Sequence, residues 1–445
     1  MGGNEAIVHA MEHSRTTVAR PPRLLSLEEI VEGGLCIGCG LCQAMTGAGK
    51  IHMVLTPEGR ERPVAQDGLD SAALERINSI CPGTRVEGGR SETQSAQAAH
   101  DVVWGYAEQL AIGYAADPEV RYRGSTGGVL TALGQFLLAS GRVSFVLHVA
   151  ASATETLRTE RRLSLDAASV LEGAGSRYGP AAPLIDFNAL LDRGEPFALI
   201  AKPCDIAAVR NLARIDARVN RYLRYALTFV CGGASELTKS EEVLQELKVD
   251  RDALSLFRYR GHGCPGPTRV ETRDGGIFEL SYQDMWAEES TWRIQPRCKI
   301  CPDAIGESAD LAASDVWPGG GPSGEDAGFN GIIVRSVRGL ELYRAALAAG
   351  AIVAEPGEVT FRDFDEFQPH QVHKKRVVWA RLAGMRAAGR GVPETHELRL
   401  ADCARLNSLK ENLEEARGAR RRAKQGRLGE PPAVGRQSGL PSKPR

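Results

Sequence analysis

Apolar and polar positions alternate in two regimes along the chain. From residue 101 onward, short unbroken apolar runs are separated by stretches of helical spacing. Val129, Leu130, Leu133, Phe136 and Leu137 recur at helical intervals, Gly141 supplies a stop, and Val143 to Val149 then reads as a buried strand. Phe197 to Ala201 runs into Pro203-Cys204 and a helix through Arg210; Tyr225 to Val230 empties into Cys231-Gly232-Gly233. After an irregular region from Phe257 to Asn330, dense in Gly, Pro, Trp and Cys, the segments Gly331 to Arg335 and Leu340 to Ala349 read as a returning strand and helix. Strands alternating with helices predict an α/β domain over 101–400. In such a domain, loops at strand ends share one ligand crevice.

The regime before residue 101 is different. Leu24 to Glu32 reads as a short helix and Lys50 to Leu55 as a small strand, within a unit over 24–86 that follows a flexible leader, 1–23. Residues 87–100, rich in Gly, Ser, Gln and Ala without a period, read as a linker. At the other end, Glu397 to Arg422 has helical potential, and 401–445 reads as a helix followed by a disordered tail.

Composition narrows the picture. Lys+Arg 55 against Asp+Glu 56 gives a net charge of -1, so nucleic acid is not an expected partner. The exception is local: Arg417 to Arg445 carries nine Lys/Arg and the single acid Glu430 among Gly, Pro and Ser, which predicts a solvated, disordered basic end. No secretory signal and no run of about 18 apolar residues is present, so a cytoplasmic location without a membrane span is expected. In a reducing compartment, ten cysteines point to metal or redox chemistry rather than a disulfide framework.

Cys36, Cys39 and Cys42 in CIGCGLC can turn toward one cuboidal cluster, with Cys81, followed by Pro82, closing the fourth corner. A structural zinc is the alternative, although zinc sites ordinarily use separated pairs. Cys298 and Cys301 in RCKICPD form a second C-x-x-C, which needs two more ligands. Cys204 and Cys231, at predicted strand ends, are the preferred pair; Cys264 in GHGCPGP is the reserve, and structural zinc or inert thiols are the alternatives. Cys403 reads as an ordinary cysteine.

Gly124-Ser125-Thr126-Gly127-Gly128 precedes a predicted helix, where backbone N–H groups and two hydroxyls suit a nucleotide or flavin pyrophosphate. A simple helix cap is the competing reading. Lys202, beside Pro203-Cys204, sits against a flavin or another anionic ligand, or is a solvated charge at a loop. Asp315 and Trp317 either wall a planar cofactor, by hydrogen bond and stacking, or belong to the core. His262 reads as structural or exposed.

In consistent order, CIGCGLC with Cys81-Pro82, GSTGGVLTAL, KPCDIAAVR, YRGHGCPGPT and RCKICPD with ADLAASDVWPGG resemble the coenzyme F420 hydrogenase/dehydrogenase beta-subunit family, which includes chlorophyll(ide) reductase relatives. The likeness runs over roughly residues 30 to 350. It implies a fold of class α/β, with a small N-terminal ferredoxin-like iron–sulfur module followed by a larger mixed α/β flavin domain and the basic disordered tail. It also implies an FAD-dependent oxidoreductase with two [4Fe–4S] clusters that moves electrons from ferredoxin or a deazaflavin carrier to a small-molecule acceptor, with or without a partner subunit. By motif, Gly124 to Gly128 belong to the flavin phosphate loop and Lys202 to a cofactor-facing turn. Cys298 and Cys301 hold the inner cluster, and the N-terminal cluster is the electron entry port. Asp205 and Gly232 stand where relatives often carry Gln and His, which leaves the reducible partner open. No side chain is singled out as a catalytic acid. The rival readings are a non-catalytic electron-transfer subunit and a zinc-stabilised binding module.

Overall fold

A computed structural model describes residues 23–88 and 94–435. At its centre is an eight-stranded sheet: β1 (Gln109–Ala115), β2 (Phe145–Ala151), β3 (Thr159–Ser164), β4 (Phe197–Ile200), β5 (Leu223–Phe229), β6 (Leu311–Asp315), β7 (Asn330–Val334) and β8 (Ile352–Ala354). Their order across the sheet is β8-β1-β7-β6-β5-β4-β2-β3. The run β2, β4, β5, β6 is parallel throughout. β7 lies antiparallel to both β6 and β1, so β1 points the same way as the parallel run. Antiparallel β3 and β8 close the edges. The sheet is therefore mixed, and the chain is α/β.

Central strands covered on both faces need apolar residues without alternation. Phe197, Ala198 and Leu199 of β4 and Ile332, Ile333 and Val334 of β7 meet that requirement, all six fully buried. On one face the helices Val129–Ala139 and Val337–Ala348 pack Leu133, Leu137, Leu342 and Ala346 against the sheet. Phe187–Asp192 and Pro203–Ala213 cover the other with Phe187, Leu191, Ile206 and Val209.

Among the described residues, the segment before the sheet has three helices, Leu27–Glu32, Leu41–Thr46 and Ser71–Ile80, and a hairpin, Ile51–Leu55 with Glu61–Ala65. Ser26 and Glu29 form a capping box on the first helix. The segment shares its core with the sheet domain: Leu41 and Ile80 pack with Phe187 and Phe197, and Ala207 packs with Ile30 and Ile77. Of the expected leader and linker, residues 1–22 and 89–93 lie outside the described residues, while Ala99–Asp101 pairs with Gly105–Ala107.

One sequence expectation changes here. Arg417 to Arg422, claimed both by the expected helix and by the expected disordered tail, are helical, and with Ala423 and Lys424 they complete a helix, Leu409–Lys424, that packs on the helix Pro369–Arg386. The reason is a stripe of small residues: Ala416, Ala419 and Ala423 are buried, and Gly384 meets Ala416 so closely that a Cβ would lie 2.1 Å from its carbonyl oxygen. The chain then folds back, burying Leu428 and Glu430 against the N-terminal segment. Residues 436–445 lie outside the described residues. Among the described residues no helix is long and apolar enough to cross a membrane.

Candidate functional site

Two sulfur-lined pockets and one glycine loop lie at or beside the carboxyl edge of the parallel strands, where open α/β sheets bind ligands. The first pocket is built by CIGCGLC. Gly38 (φ 74°) and Gly40 (φ 82°) adopt left-handed backbone, which winds the turn tightly enough to aim Cys36, Cys39 and Cys42 inward. Cys81 caps the helix Ser71–Ile80 and faces the same space. The remaining wall is apolar: Leu27, Ile30, Ile37, Leu41, Met53, Ile77, Ile80 and Pro82 contribute to it. Gly38 and Gly83 donate backbone N–H groups to Cys36 Sγ and Cys81 Sγ, both at 3.3 Å. A Cβ on Gly83 would lie 2.7 Å from Leu35 O and 3.2 Å from Cys81 Sγ, so glycine is required beside this sulfur. Burial pushes the Cys81 thiol up to about 12 and raises Cys36, Cys39 and Cys42 as well.

The second pocket gathers Cys204, Cys231, Cys298 and Cys301. Cys204 sits in the first turn of the helix that follows β4, Cys231 follows β5, and Cys298 belongs to the 3₁₀ turn Pro296–Ile300, with Cys301 just beyond it. Ala234 donates its N–H to Cys298 Sγ at 3.3 Å, and the Cys301 thiol donates to Asp303 O at 3.2 Å. Burial pushes Cys231 up to about 12 and raises Cys204 and Cys301. Among the described residues, no three His, Cys, Asp or Glu side chains converge on a position for one metal ion.

Ile37 lines both pockets, and charged residues fill the seam around it. Arg297, 2% exposed, donates from Nη2 to Pro82 O at 3.0 Å and from Nη1 to Ile300 O at 3.3 Å, and its Nε has no partner. Arg62, equally buried, is held by Glu430 at 2.6 and 2.7 Å and by Gln295 at 2.9 Å. Lys202 Nζ meets Asp205 Oδ2 at 2.7 Å. Burial works against the Lys202 ammonium, but the neighbouring Asp205 and Cys204 charges outweigh it and raise the pKa. Burial likewise raises Asp205, against the pull of Lys202. Lys202 therefore belongs to the second thiol pocket.

The glycine loop lies beside the end of β1. Gly127 O accepts from Ala115 N at 2.7 Å, and Asn330, at the start of β7, donates from Nδ2 to Thr126 Oγ1 at 2.7 Å and accepts Val129 N at 3.1 Å. A Cβ on Gly127 would lie 2.7 Å from Asn330 N, so packing alone demands glycine there. Among the described residues, the N–H groups of Ser125, Thr126, Gly127 and Gly128 donate to no protein acceptor, and they head the helix Val129–Ala139. Such a row can receive a phosphate. Arg260 ties the loop to the rest of the site: Nη2 donates to Ser125 O at 2.7 Å and to Asp315 Oδ1 at 3.2 Å, Nη1 donates to the Tyr178 hydroxyl at 3.2 Å, and the guanidinium lies 4.7 Å from the Trp317 ring centre. Asp315 and Trp317 thus join the glycine loop as a group. Cys264 is buried in this neighbourhood, with its Cβ facing Gly328, and lines neither sulfur pocket. Cys403 Sγ donates to Val102 O at 3.0 Å in the core.

Arg260, Arg297, Arg62, Ile37 and Asn330 belong to the site without having been candidates by motif, and Glu430 stood out in sequence only as the one acid of the basic end. Arg260 and Arg297 stand inside or beside quoted motifs, YRGHG and RCKIC, where a cation flanked by Gly or Cys was the available signal. The Arg62–Glu430 pair spans 368 residues and leaves no local pattern.

Two family models match the chain, both for the beta subunit of coenzyme F420 hydrogenase/dehydrogenase. The model of its N-terminal part matches residues 111–187, and the model of its C terminus matches 194–360. Together they take in more than half of the chain; Cys36, Cys39, Cys42 and Cys81 precede them. The F420-dependent formate dehydrogenase 1 subunit beta of Methanococcus maripaludis is 27% identical over 244 residues, 54% of this chain and 59% of that one. The coenzyme F420-dependent sulfite reductase of Methanocaldococcus jannaschii is 23% identical over 337 residues, 72% of this chain and 47% of that one. The coenzyme F420 hydrogenase subunit beta of Methanothermobacter thermautotrophicus is 20% identical over 311 residues, 66% of this chain and 100% of that one. The chain thus spans about half the length of the first two relatives.

Proposed function

Because this chain belongs to the coenzyme F420 hydrogenase/dehydrogenase beta-subunit family, we propose that it is an iron–sulfur flavoprotein oxidoreductase. It would pass electrons from ferredoxin or a deazaflavin carrier through two [4Fe–4S] clusters and FAD to a small-molecule acceptor. The observation that carries the reading is the assembly of eight cysteines, scattered from Cys36 to Cys301, into two four-sulfur pockets that share the wall of Ile37. Relatives named for F420-dependent redox enzymes support the same direction.

The clusters would supply one-electron storage and the flavin the exchange between single electrons and pairs. The chain's own residues do the rest. Cys36, Cys39, Cys42 and Cys81 would hold one cluster, and Cys204, Cys231, Cys298 and Cys301 the other. Thiols held protonated by burial must release their protons on loading, so assembly is favoured at higher pH. The N–H groups of Gly38, Gly83 and Ala234 donate to sulfur and favour its anionic form. Ser125 to Gly128 would take the flavin pyrophosphate, and Arg260 would place a fixed positive charge beside Trp317 and Asp315.

Anaerobic purification with iron, zinc and flavin analysis tests the proposal. About eight iron atoms per chain and bound FAD are expected; zinc in place of iron, or protein free of flavin after anaerobic reconstitution, would contradict it. The relatives named as beta subunits favour a second reading, an electron-transfer subunit that turns over only with another polypeptide. Acceptor reduction by the isolated chain separates the two.

A further inference from the structure

From Ala416 to Gly429 the chain carries six cations, Arg417, Arg420, Arg421, Arg422, Lys424 and Arg427, and no acid. Because Ala416, Ala419 and Ala423 turn the helix Leu409–Lys424 inward, Arg421 is left exposed, as is Arg427 just beyond, while Arg422 is half-buried. On the facing helix, Arg381 donates to Lys299 O at 3.1 Å. The charges of Arg422, Arg427 and Arg60 bear on Lys299, and those of Arg381, Arg421 and Arg427 bear on Arg422. Nearby, Glu415 answers Arg381 and Glu236 answers Arg60. A helix C-terminus favours cations, because its unpaired carbonyls carry partial negative charge. That accounts for the last turn and for Arg427, whose N–H closes the same helix on Arg422 O at 2.9 Å, but not for Lys299, which arrives from the 3₁₀ turn Pro296–Ile300.

We propose that Lys299, Arg381, Arg421, Arg422 and Arg427 form the docking face for an acidic electron-carrier protein. The inference rests on the iron–sulfur reading and adds the partner's chemistry and its place. Its centre decides the class of partner. Lys299 is exposed between Cys298 and Cys301, at the rim of the second pocket. Leu428, next to Arg427, presses on Gly34, where a Cβ would lie 2.1 Å from its carbonyl oxygen, two residues before Cys36 of the first pocket. The positive surface thus adjoins a loop of each sulfur set, where a redox protein would approach and where nucleic acid or lipid would gain nothing from the buried thiols. Clustered charge of one sign around a buried centre steers an oppositely charged partner and raises its association rate.

The test uses the full, anaerobically purified chain and, as probe, an acidic bacterial ferredoxin with two [4Fe–4S] clusters, reduced beforehand and mixed by stopped flow. For the native chain the second-order rate of electron transfer should fall roughly tenfold or more as salt is raised. In the variant combining Arg421→Glu and Arg427→Glu it should start roughly tenfold lower and lose most of its salt dependence. Iron content and reduction by dithionite should match the native chain, and Lys410→Glu, at the far end of the same helix, should leave the ferredoxin rate unchanged. An unaltered rate and salt dependence in the double variant would overturn the proposal. So would selective loss of binding to phosphatidylserine vesicles or a single-stranded oligonucleotide, which would reassign the surface. Native protein without iron would instead sink the underlying iron–sulfur reading.

Discussion

Arg297 is buried among backbone atoms from both sulfur loops, with one nitrogen free, and its charge bears on Cys81 of one set and Cys301 of the other. With the proposed clusters in place, reduction adds negative charge beside this cation, so Arg297→Gln should move both of their midpoint potentials to more negative values, and Arg297→Lys should restore part of the shift. Redox titration followed by electron paramagnetic resonance checks this. Potentials unchanged at full iron content would contradict the role. His148 allows a second prediction. Burial, with Arg162 adding to it and a Val149 carbonyl contact opposing it, holds its pKa down to about 4, and Nε2 meets Ser164 Oγ at 2.7 Å. The folded pKa lies below the unfolded value of about 6.5, so the unfolded chain binds the extra proton. The stabilisation is complete above about pH 6.5 and is lost as pH falls toward 4. Between pH 7 and 5 this costs about 2 kcal/mol, and His148→Gln should remove that share of the pH dependence in urea unfolding.

At the scale of elements, the C-terminal return acts as a strap. Glu430 is the single acid of a basic stretch, and in sequence nothing else marks it. In the fold it is buried, pairs with both Arg62 and Arg60, and ties the last described segment to the hairpin beside the first sulfur pocket. Glu430→Ala leaves the Arg62 guanidinium buried and uncompensated, which should destabilise the chain by about 3–5 kcal/mol in denaturant titration. A loss within about 0.5 kcal/mol, the range of ordinary surface substitutions, would show that the strap carries no load. The sheet strands, in contrast, were readable: Phe197 to Ala201 and Gly331 to Arg335 are apolar runs whose burial follows from their central positions. The last helix was harder to bound, because its contact face is alanine and glycine, which pack closely without a strong apolar signal.

Across the whole molecule, the sheet brings residues far apart in sequence to one edge: the glycine loop beside β1, Cys204 after β4, Cys231 after β5 and Trp317 after β6. The grouping of the cysteines was legible because strand ends and C-x-x-C spacing are local signals. The seam between the pockets was not, since Ile37, Arg62 and Arg297 meet there only through tertiary packing. Lys202 lines the second sulfur pocket and pairs with Asp205, a position the motif alone did not give. The central claim is that two sulfur cages stand side by side in one chain. Iron counted in the native protein and in four single variants, Cys42→Ser, Cys301→Ser, Cys264→Ser and Cys403→Ser, tests it most directly. The expected values are about eight atoms in the native chain and in the last two variants, and about four in the first two. Undiminished iron in Cys301→Ser, or zinc in its place throughout, would contradict the account.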